Sequence, residues 1–500
     1  MPLWIAAFLH HLPLDAVHPQ WSSEAAFAVL DQGRVAALTP AAEAAGIRLD
    51  MRRAGAAAIA PEVPLCARDP AAEQQALHEV ALALLQYTPD IALAEPDSLL
   101  LQVEGSLMYF GGPRRLYRRI VTTLHGMGIH TTIGMAPTAQ GAWLLAHQLW
   151  ARAPRRTLQR HTLARRLDRL PGALLPGAQV RLDWLRSIGC HTLGDLRQLP
   201  RAGLQRRCGV ALVEALDAAY GDTPECHVWL QPPARFQQRL ELPDYIEHAE
   251  SVLFWAQRLI EPLCGWLNAR RRAIQHFTLT LEHERGRHAR PPTTLPVSLA
   301  QPAWQAAHLL TLLREKLGRL PLEAPAIALA LRVDDTVDQP AVSTCLFPEP
   351  GGSPADHARL LDLLSARLGH ERVRCPQPIE DHRPEAANGW VAAGDSPSHL
   401  ASPSATAVAA GKYAPFPLMD RPFWLLDPPM PLSIRQHRPV YAGQPLRLVR
   451  GPERIESGWW DGALTVRDYF VAEDAARARY WIYRERDTEH ARWFLHGRYG

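Results

Sequence analysis

The stretch Thr131-Thr132-Ile133-Gly134-Met135-Ala136-Pro137 has the pattern of a strand that runs directly into a helix. It predicts a strand over residues 130–135 and a helix over residues 138–151. Towards the N-terminus the alternation continues, with strands or hairpins predicted at residues 3–9, 27–38 and 91–103 and helices at residues 40–46, 71–87 and 114–127. Alternating strands and helices favour an α/β layer, so we expect residues 1–165 to form an α/β domain.

Towards the C-terminus the pattern changes to short helices, predicted at residues 182–187 and 193–199 and joined by the turn Ile188-Gly189-Cys190-His191-Thr192. A hairpin of helices with a glycine in its turn points backbone amides outward, which is a common way to hold DNA phosphates without reading bases. Gly189 and Gly194 are therefore candidate DNA-binding positions in a helix-hairpin-helix domain at residues 166–232. Glycine also simply permits a tight turn, so a purely structural role stays open.

The remaining chain separates into three parts. Residues 233–345 predict the order strand, helix, strand, strand, helix, strand, which is the split βαβ arrangement. Residues 346–420 are rich in proline, glycine and serine and are interpreted as a linker broken by one helix at residues 356–368. Residues 421–500 are dense in tryptophan and tyrosine, and their alternating strands predict a compact β-rich module. The predicted fold class is α/β multidomain.

Lysine is almost absent from this chain. Of its 54 basic residues, only Lys316 and Lys412 are lysines and 52 are arginines. No lysine can therefore hold a nucleotide's phosphates or form a Schiff base before residue 316. The net charge of +3 hides an uneven distribution, because residues 1–110 carry a net −8 and residues 111–220 a net +12.

The arginines of the basic block are clustered, and clustered arginines suit a phosphate backbone. The same clusters could be the solvated faces of helices in an arginine-rich protein, and charge alone does not separate the two readings. The candidate DNA-binding arginines are Arg114, Arg115, Arg118, Arg119, Arg152, Arg155, Arg156, Arg206 and Arg207.

The seven cysteines are scattered singly, without a pair spaced for a disulfide framework or a zinc site. No apolar run has the length needed to cross a bilayer, and the apolar start at residues 2–9 lacks the basic flank of a signal peptide. We therefore expect a soluble cytoplasmic protein with no membrane partner, associated with the nucleoid if it binds DNA.

The order of these parts resembles the palm, thumb and little finger of the Y-family translesion DNA polymerases. Residues 131–137 look like the strand-to-helix junction of that palm, and residues 188–196 look like the thumb hairpin. The tail, with Arg421-Pro422-Phe423-Trp424-Leu425-Leu426 and the segment at residues 451–462, has no counterpart in active polymerases of the family. It resembles the tail of a polymerase-like subunit of a bacterial mutagenesis complex.

The resemblance implies metal-binding carboxylates that this chain has largely lost. Phosphoryl transfer needs two metal ions held by carboxylates from separate strands. The first-strand position falls among Leu9, His10 and His11, and the later Asp-Glu pair is Asp97 followed by Ser98. One carboxylate of three remains, and it could still bind a metal weakly.

Groups for an incoming nucleotide are missing as well. The family's tyrosine and arginine that hold the triphosphate align with Pro40 and Glu43, and its palm lysines align with Ala139 and Trp143. An acid at Glu43 would repel polyphosphate. The resemblance thus implies a polymerase fold without catalysis, with no metal and no cofactor.

What the resemblance leaves is a DNA-binding adaptor in SOS-type error-prone translesion synthesis. Its implied partners are damaged or primed DNA, a sliding clamp, a RecA-like accessory subunit and an error-prone replicative-type polymerase. A clamp-binding segment usually ends in Leu-Phe, and the best candidate contains Ser343, Leu346 and Phe347, although Ser343 replaces the usual glutamine. The tail aromatics include candidate partner anchors, but we expect more of them in the core than at an interface.

Two other functions stay open. An active Y-family polymerase could use relocated metal ligands, combining Asp97 with Glu95 or Glu104. A purely protein-binding scaffold would not touch DNA at all.

Overall fold

A computed structural model describes residues 2–19, 21–22, 24–94, 96–150, 153–284, 290–339, 354–393, 421–422, 424–486 and 492–499. Contacts divide the chain into two units, Met1–Arg367 and Leu368–Gly500. The first unit contains the palm-like, thumb-like and little-finger-like parts. The second contains the β-rich module.

The palm-like part alternates strands and helices as predicted. The elements in chain order are β1 Trp4–Phe8, α1 Leu12–Val17, β2 Ala28–Asp31, β3 Arg34–Leu38, α2 Pro40–Ala44, α3 Arg53–Ile59, β4 Leu65–Ala67, α4 Pro70–Leu84, β5 Ile91–Ala94, β6 Ser98–Gln102, α5 Pro113–Gly126, β7 Thr132–Ala136 and α6 Ala139–Ala146. The single strand predicted within residues 91–103 is in fact two strands, with Pro96 in the turn between them. Proline has no amide hydrogen to continue a ladder, which explains the interruption.

Four of these strands form the central sheet, in the order β5-β6-β1-β7, and each adjacent pair is antiparallel. Strand β1 is buried on both faces. Ile5 and Ala7 pack with α4 and α5, whereas Trp4 and Ala6 pack with α6 and the helices that follow it. Gly134 lets β7 approach α6, because a Cβ there would lie 2.1 Å from the carbonyl oxygen of Ala142.

The thumb-like part is a set of short helices. They are α7 Arg160–Leu167, α8 Pro176–Gln179, α9 Leu182–Ser187, α10 Leu193–Gln198, α11 Arg201–Cys208 and α12 Val210–Tyr220. The two helices predicted on either side of the glycine turn are α9 and α10, so the predicted hairpin is confirmed. Its apolar side chains Leu185, Leu193 and Leu196 are buried.

The little-finger-like part has the predicted order of elements. They are β8 Gln237–Ile246, α13 Ala249–Ala269, β9 Arg272–His283, β10 Thr293–Ala303, α14 Ala306–Leu317, β11 Ala326–Arg332 and the short β12 Val337–Asp338. Strand β11 lies between β8 and β9 and is antiparallel to both. Strands β8 and β9 are therefore parallel and split by a third strand, which confirms the split βαβ arrangement.

Helix α13 packs directly on α4 of the palm-like part. A Cβ at Gly265 would lie 1.8 Å from the carbonyl oxygen of Leu82, so only glycine allows this close approach. Buried ionisable groups lie along the same contact. Arg258 and Glu79 form an ion pair of 3.6 Å in which both side chains are buried. Burial raises the pKa of Glu261, whose carboxylate accepts a 3.0 Å hydrogen bond from Gln86.

The segment predicted to be a linker contains more structure than one helix. Helix α15, Pro354–Leu368, packs on the little-finger-like part, where Asp362 accepts from His308 at 2.9 Å and from the amide of Ala300. Strands β13 Arg374–Pro378 and β14 Asn388–Ala392 then form a hairpin. Composition did not indicate this hairpin, because its polar and proline-rich residues are typical of loops. Residues 394–420 lie outside the described part.

The β-rich module contains a seven-stranded sheet in the order β17-β16-β15-β21-β20-β19-β18. These strands are β15 Trp424–Arg435, β16 Arg438–Tyr441, β17 Gln444–Pro445, β18 Arg447–Ser457, β19 Thr465–Glu473, β20 Arg479–Glu485 and β21 Trp493–Arg498. The hairpin β13–β14 joins it through Arg383, which bonds Asp461 at 2.5 Å. Five of the tail aromatics pack in its cores, namely Tyr469, Tyr480, Trp481, Trp493 and Phe494, whereas Trp459 and Trp460 are 71% and 54% exposed.

The contact at Gly265 generates a stability prediction. Gly265→Ala should lower the free energy of unfolding by about 3 kcal/mol, because its methyl group overlaps a backbone oxygen that cannot move alone. Gly203→Ala is the matched control. It lies on the exposed surface of α11 with nothing near its Cβ, and should raise stability by up to about 1 kcal/mol. Urea unfolding followed by circular dichroism measures both, and equal stabilities would contradict the close packing.

Candidate functional site

The strand ends where a polymerase holds metal lie side by side in this chain. Phe8 at the end of β1 pairs with Ser98 of β6 on one side and with Thr132 of β7 on the other. The backbone of Asp97 is fixed here, since its carbonyl accepts a 2.9 Å hydrogen bond from the amide of Leu9. Of the positions that the resemblance implies, Leu9 is thus next to Asp97 and Ser98, and Asp97 is the one carboxylate among these three.

The carboxyl group of Asp97 is half-buried and bonded to Ser98, whose hydroxyl donates to it at 3.0 Å. Burial raises the pKa of Asp97 above its usual value, and this outweighs the opposite effect of the Ser98 hydrogen bond. Because Ser98 stands where the resemblance implies a second carboxylate, this strand end offers Asp97 alone of the implied pair.

The first acidic residue of the chain, Asp15, lies in the protein interior and is hydrogen-bonded there. It is fully buried and accepts hydrogen bonds from the indole of Trp21 at 3.0 Å and from the amide and ring of His130 at 3.0 and 2.7 Å. The neighbouring His10 and His11 are partly buried. Burial lowers the pKa of His10 to about 4 and also lowers that of His11, so both rings are neutral near pH 7.

These donors do not fit the two metal ions of a Y-family polymerase. Among the described residues, no group of three or more histidine, cysteine, aspartate or glutamate side chains could hold a metal ion. Glu95 lies outside the described part. Glu104 follows the far end of β6 and is roughly 20 Å along the strand direction from Asp97, at about 3.3 Å per residue. The pairing of Asp97 with Glu104 as relocated ligands is therefore wrong.

Acidic and aromatic residues stand at or beside the positions where the resemblance implies groups that hold an incoming nucleotide. Pro40 opens α2, and Glu43 on that helix lies 3.8 Å from Arg48 with both side chains exposed. The N-terminus of α6, which could attract phosphate, already binds a carboxylate. Glu225 accepts 2.7 Å hydrogen bonds from the amides of Ala139 and Gln140. Sequence reasoning missed Glu225, because nothing in its local pattern indicates a partner 86 residues away.

An aromatic stack fills the other lysine position. Trp143 stacks on His147 with ring centroids 3.6 Å apart, and His147 stacks on Phe8 at 3.8 Å. Burial lowers the pKa of His147 to about 4, so this imidazole is neutral near pH 7. The stack closes the space beside the end of β1 with uncharged rings.

Helix α5 carries four of the predicted DNA-binding arginines on its solvent side. Arg114, Arg115, Arg118 and Arg119 are all exposed, while the opposite face buries Leu116, Ile120 and Leu124 in the core. Four guanidinium groups thus lie within two turns of one rigid helix. This arrangement can contact several phosphates at once.

The remaining predicted arginines differ in their exposure and in the contacts that their guanidinium groups make within the protein. Arg155 donates to the carbonyls of Gln148 at 2.8 Å and Trp150 at 3.0 Å, which makes it largely structural. Arg156 is exposed and stacks over Tyr117 at 4.6 Å. Arg206 and Arg207, at the end of α11, are exposed. Arg152 lies outside the described residues.

The turn between α9 and α10 does not offer free amides to phosphate. The amides of His191 and Thr192 both donate to the carboxylate of Asp195, at 3.0 and 2.8 Å. Those of Gly189 and Gly194 donate to backbone carbonyls within the thumb-like part. Asp195 caps its own helix, so the expected phosphate grip at these two glycines lacks its donors in this structure.

Two further expectations concern the clamp-binding segment and membrane-spanning helices. The clamp-binding candidates Ser343, Leu346 and Phe347 lie outside the described residues. Within the described part, no helix is both long and apolar enough to cross a membrane.

Comparison with known proteins gives two kinds of match. Residues 15–147 match the impB/mucB/samB family. Two curated proteins named ImuB, from two strains of Caulobacter vibrioides, are each 27% identical to this chain over 483 residues, which cover 91% of this chain and 100% of the relative. The chain is thus similar to ImuB along most of its length.

Solved structures of Y-family polymerases also match. DinB from Sulfolobus solfataricus is 16% identical and the match covers 68% of this chain and 100% of that one, with a TM-score of 0.36. An insertion ternary complex of Dbh DNA polymerase is 18% identical over 68% of this chain and 100% of that one, with a TM-score of 0.38.

The buried histidines beside β1 generate a pH prediction. Because the folded-state pKa of His10 and His147 lies near 4 and the ordinary value is 6.5, the unfolded chain takes up more protons between these values. Stability should be constant above about pH 6.5 and fall as the pH drops towards 4. His147→Phe keeps the stacked ring and should make this fall shallower, by at most about 1.4 kcal/mol per pH unit.

Urea midpoints between pH 7.5 and 4.5 measure this slope. The exposed His161→Phe is the control and should leave the slope as in the unaltered protein. Parallel curves for all three proteins would show that His147 is not held neutral by burial.

Proposed function

We propose that this ImuB-like chain is a non-catalytic, DNA-binding adaptor in error-prone translesion synthesis. In this role it would hold primed or damaged DNA and recruit a sliding clamp, a RecA-like accessory subunit and an error-prone replicative-type polymerase that performs the synthesis. The observation that carries the proposal is the site where the end of β1 meets Asp97 and Ser98, with the amide of Leu9 bonded to the carbonyl of Asp97. The resemblance implies three carboxylates there, and only Asp97 is one.

Three arrangements support the absence of catalysis. Asp97 is a lone carboxyl group, bonded to the hydroxyl of Ser98 where the resemblance implies a second carboxylate. Glu225 binds the amides of Ala139 and Gln140 at the N-terminus of α6, and Glu43 is an acid where the resemblance implies an arginine for the triphosphate. Neither acid supplies the positive charge that phosphoryl transfer requires.

DNA binding is supported by the exposed arginines of α5. The solvent face of α5 presents Arg115, Arg118 and Arg119, which would contact phosphates and give binding without base preference. The β-rich module adds a protein-binding surface. There Trp459 and Trp460 are exposed and pack edge to face, with centroids 4.7 Å apart, which suits aromatic anchors for a partner.

The primary prediction is binding of primed DNA without extension. Purified protein should bind a labelled primer-template with an affinity that falls steeply as salt rises, because arginines displace counterions from phosphates. With magnesium and all four nucleotides, the primer should stay unextended. Extension that disappears in Asp97→Ala would overturn the adaptor reading in favour of an active polymerase. Undetectable binding at low salt would instead favour a protein-only scaffold.

Clamp recruitment by residues 343–347 is a separate prediction. Leu346→Ala combined with Phe347→Ala should weaken clamp binding at least about tenfold, since each truncation removes a buried anchor costing on the order of 1–2 kcal/mol. Thr344→Ala is the control within the same segment and should bind as well as the unaltered protein. A pull-down with purified clamp measures all three, and unchanged binding by the double variant would show that the segment is not the clamp site.

A further inference from the structure

A trough runs along the outer edge of the central sheet. Beyond β7, residues 155–157 pair with Met135: the amide of Met135 donates to the carbonyl of Arg155 and the amide of Thr157 donates to the carbonyl of Met135, both at 2.8 Å. Two hollows of about 450 and 460 Å³ open between this added segment, α5 and α7. We call them together the edge trough. Each has the size of a small-ligand site.

The two hollows are adjacent, since three side chains line both of them. These are Tyr117 on α5, Arg156 on the added segment and Arg166 on α7. Arg114 opens onto the first hollow and Arg155 onto the second. Among the described residues that line the trough, none is acidic. Five cationic or aromatic groups thus surround a space that lacks any opposing carboxylate.

Two of the arginines are held in place by contacts that leave donors free. The guanidinium of Arg156 stacks over the ring of Tyr117 at 4.6 Å, which fixes its plane and leaves its N–H edge available. One nitrogen of Arg166 donates to the carbonyls of Pro154, at 3.3 Å, and Arg156. Its other donors are not used in these bonds. A guanidinium that is already ordered loses less entropy when it binds an anion.

The trough also has groups that suit nucleotides rather than a bare anion. Thr162 and Gln159 supply uncharged donors and acceptors in the first hollow. Leu158 and Val121 expose apolar surface, at 53% and 38%, against which a base can pack. Cationic, hydroxyl and apolar groups along one channel are the combination by which proteins bind single-stranded nucleic acid.

We propose that the edge trough binds the phosphodiester backbone of single-stranded DNA, with about one nucleotide in each hollow. This inference rests on the proposed DNA-bound adaptor and specifies which form of DNA this surface takes. A duplex presents its phosphates on a broad convex surface that cannot enter two narrow hollows, whereas a single strand can. An acidic peptide would match the charge but would leave the apolar walls at Leu158 and Val121 without a partner.

The trough can be tested separately from the end of α11. Its walls are α5, the added segment and α7. Arg206 and Arg207 lie on α11 and line neither hollow. Substitutions at the trough and at these two arginines should therefore affect different forms of DNA.

The test compares a labelled twelve-nucleotide oligo-dT with a blunt duplex across salt concentrations. Arg156→Gln combined with Arg166→Gln should weaken oligo-dT binding about tenfold at low salt and reduce its salt slope by about 1.4, because each single-strand phosphate contact contributes about 0.7. Duplex affinity should change less than twofold. Since Arg166 also bonds backbone carbonyls, the exposed Arg114→Glu is a second variant that should weaken oligo-dT binding without a folding defect. Arg206→Gln with Arg207→Gln is the matched control and should spare oligo-dT.

The outcomes separate this inference from the proposed function. If the unaltered protein binds DNA but neither trough variant weakens oligo-dT binding, the trough assignment is wrong and the adaptor stands. If the unaltered protein binds no DNA at low salt, the proposed function fails first. An oligo-glutamate peptide is the third arm: if it binds more tightly than oligo-dT and only its binding is lost in the variants, the trough is a site for acidic protein segments.

Discussion

Strand β1 is hydrogen-bonded on both sides, to β6 and to β7, and its alternating side chains are buried on both faces. A shift of one residue in either pairing would exchange Ile5 and Ala7 with Trp4 and Ala6 and ruin both cores. This register holds Phe8, Ser98 and Thr132 in one row. The pairing of β1 thus fixes which side chains stand together at this edge of the central sheet.

Charge is distributed unevenly between the end of β1 and the arginine-rich surfaces. At the end of β1 lie imidazoles whose pKa is lowered by burial and an aspartate whose pKa is raised, and Glu225 lies at the N-terminus of α6, beside the start of β1. Positive charge lies instead on the solvent face of α5 and along the edge trough. Under the proposed function, the site that would bind a nucleotide lacks positive charge. The surfaces that would bind a nucleic-acid backbone carry arginines.

Domain packing adds a second constraint. Gly265 lets α13 of the little-finger-like part lie directly on α4, and the buried Arg258 and Glu79 form an ion pair across the same contact. Removing one partner of a buried pair is costly, so this contact specifies one arrangement of the two parts. The little-finger-like part is thus packed on the palm-like part through buried residues.

The sequence by itself determined the order of the elements, the hairpin of α9 and α10, the split βαβ part and the residue types at the strand ends. These follow from local periodicity and turn residues, which act over a few positions along the chain. Only the tertiary structure decided that Asp15 is held by His130, that Glu225 covers α6, that Asp195 occupies the amides of the thumb-like turn, and that Arg155 is structural whereas Arg156 is free. Each of those outcomes depends on which acceptor lies within about 3 Å of a donor. For Asp15 with His130 and for Glu225 with Ala139, folding sets that distance between residues 115 and 86 positions apart, and no local pattern encodes it. The contacts of Asp195 and Arg155 are local, within seven positions.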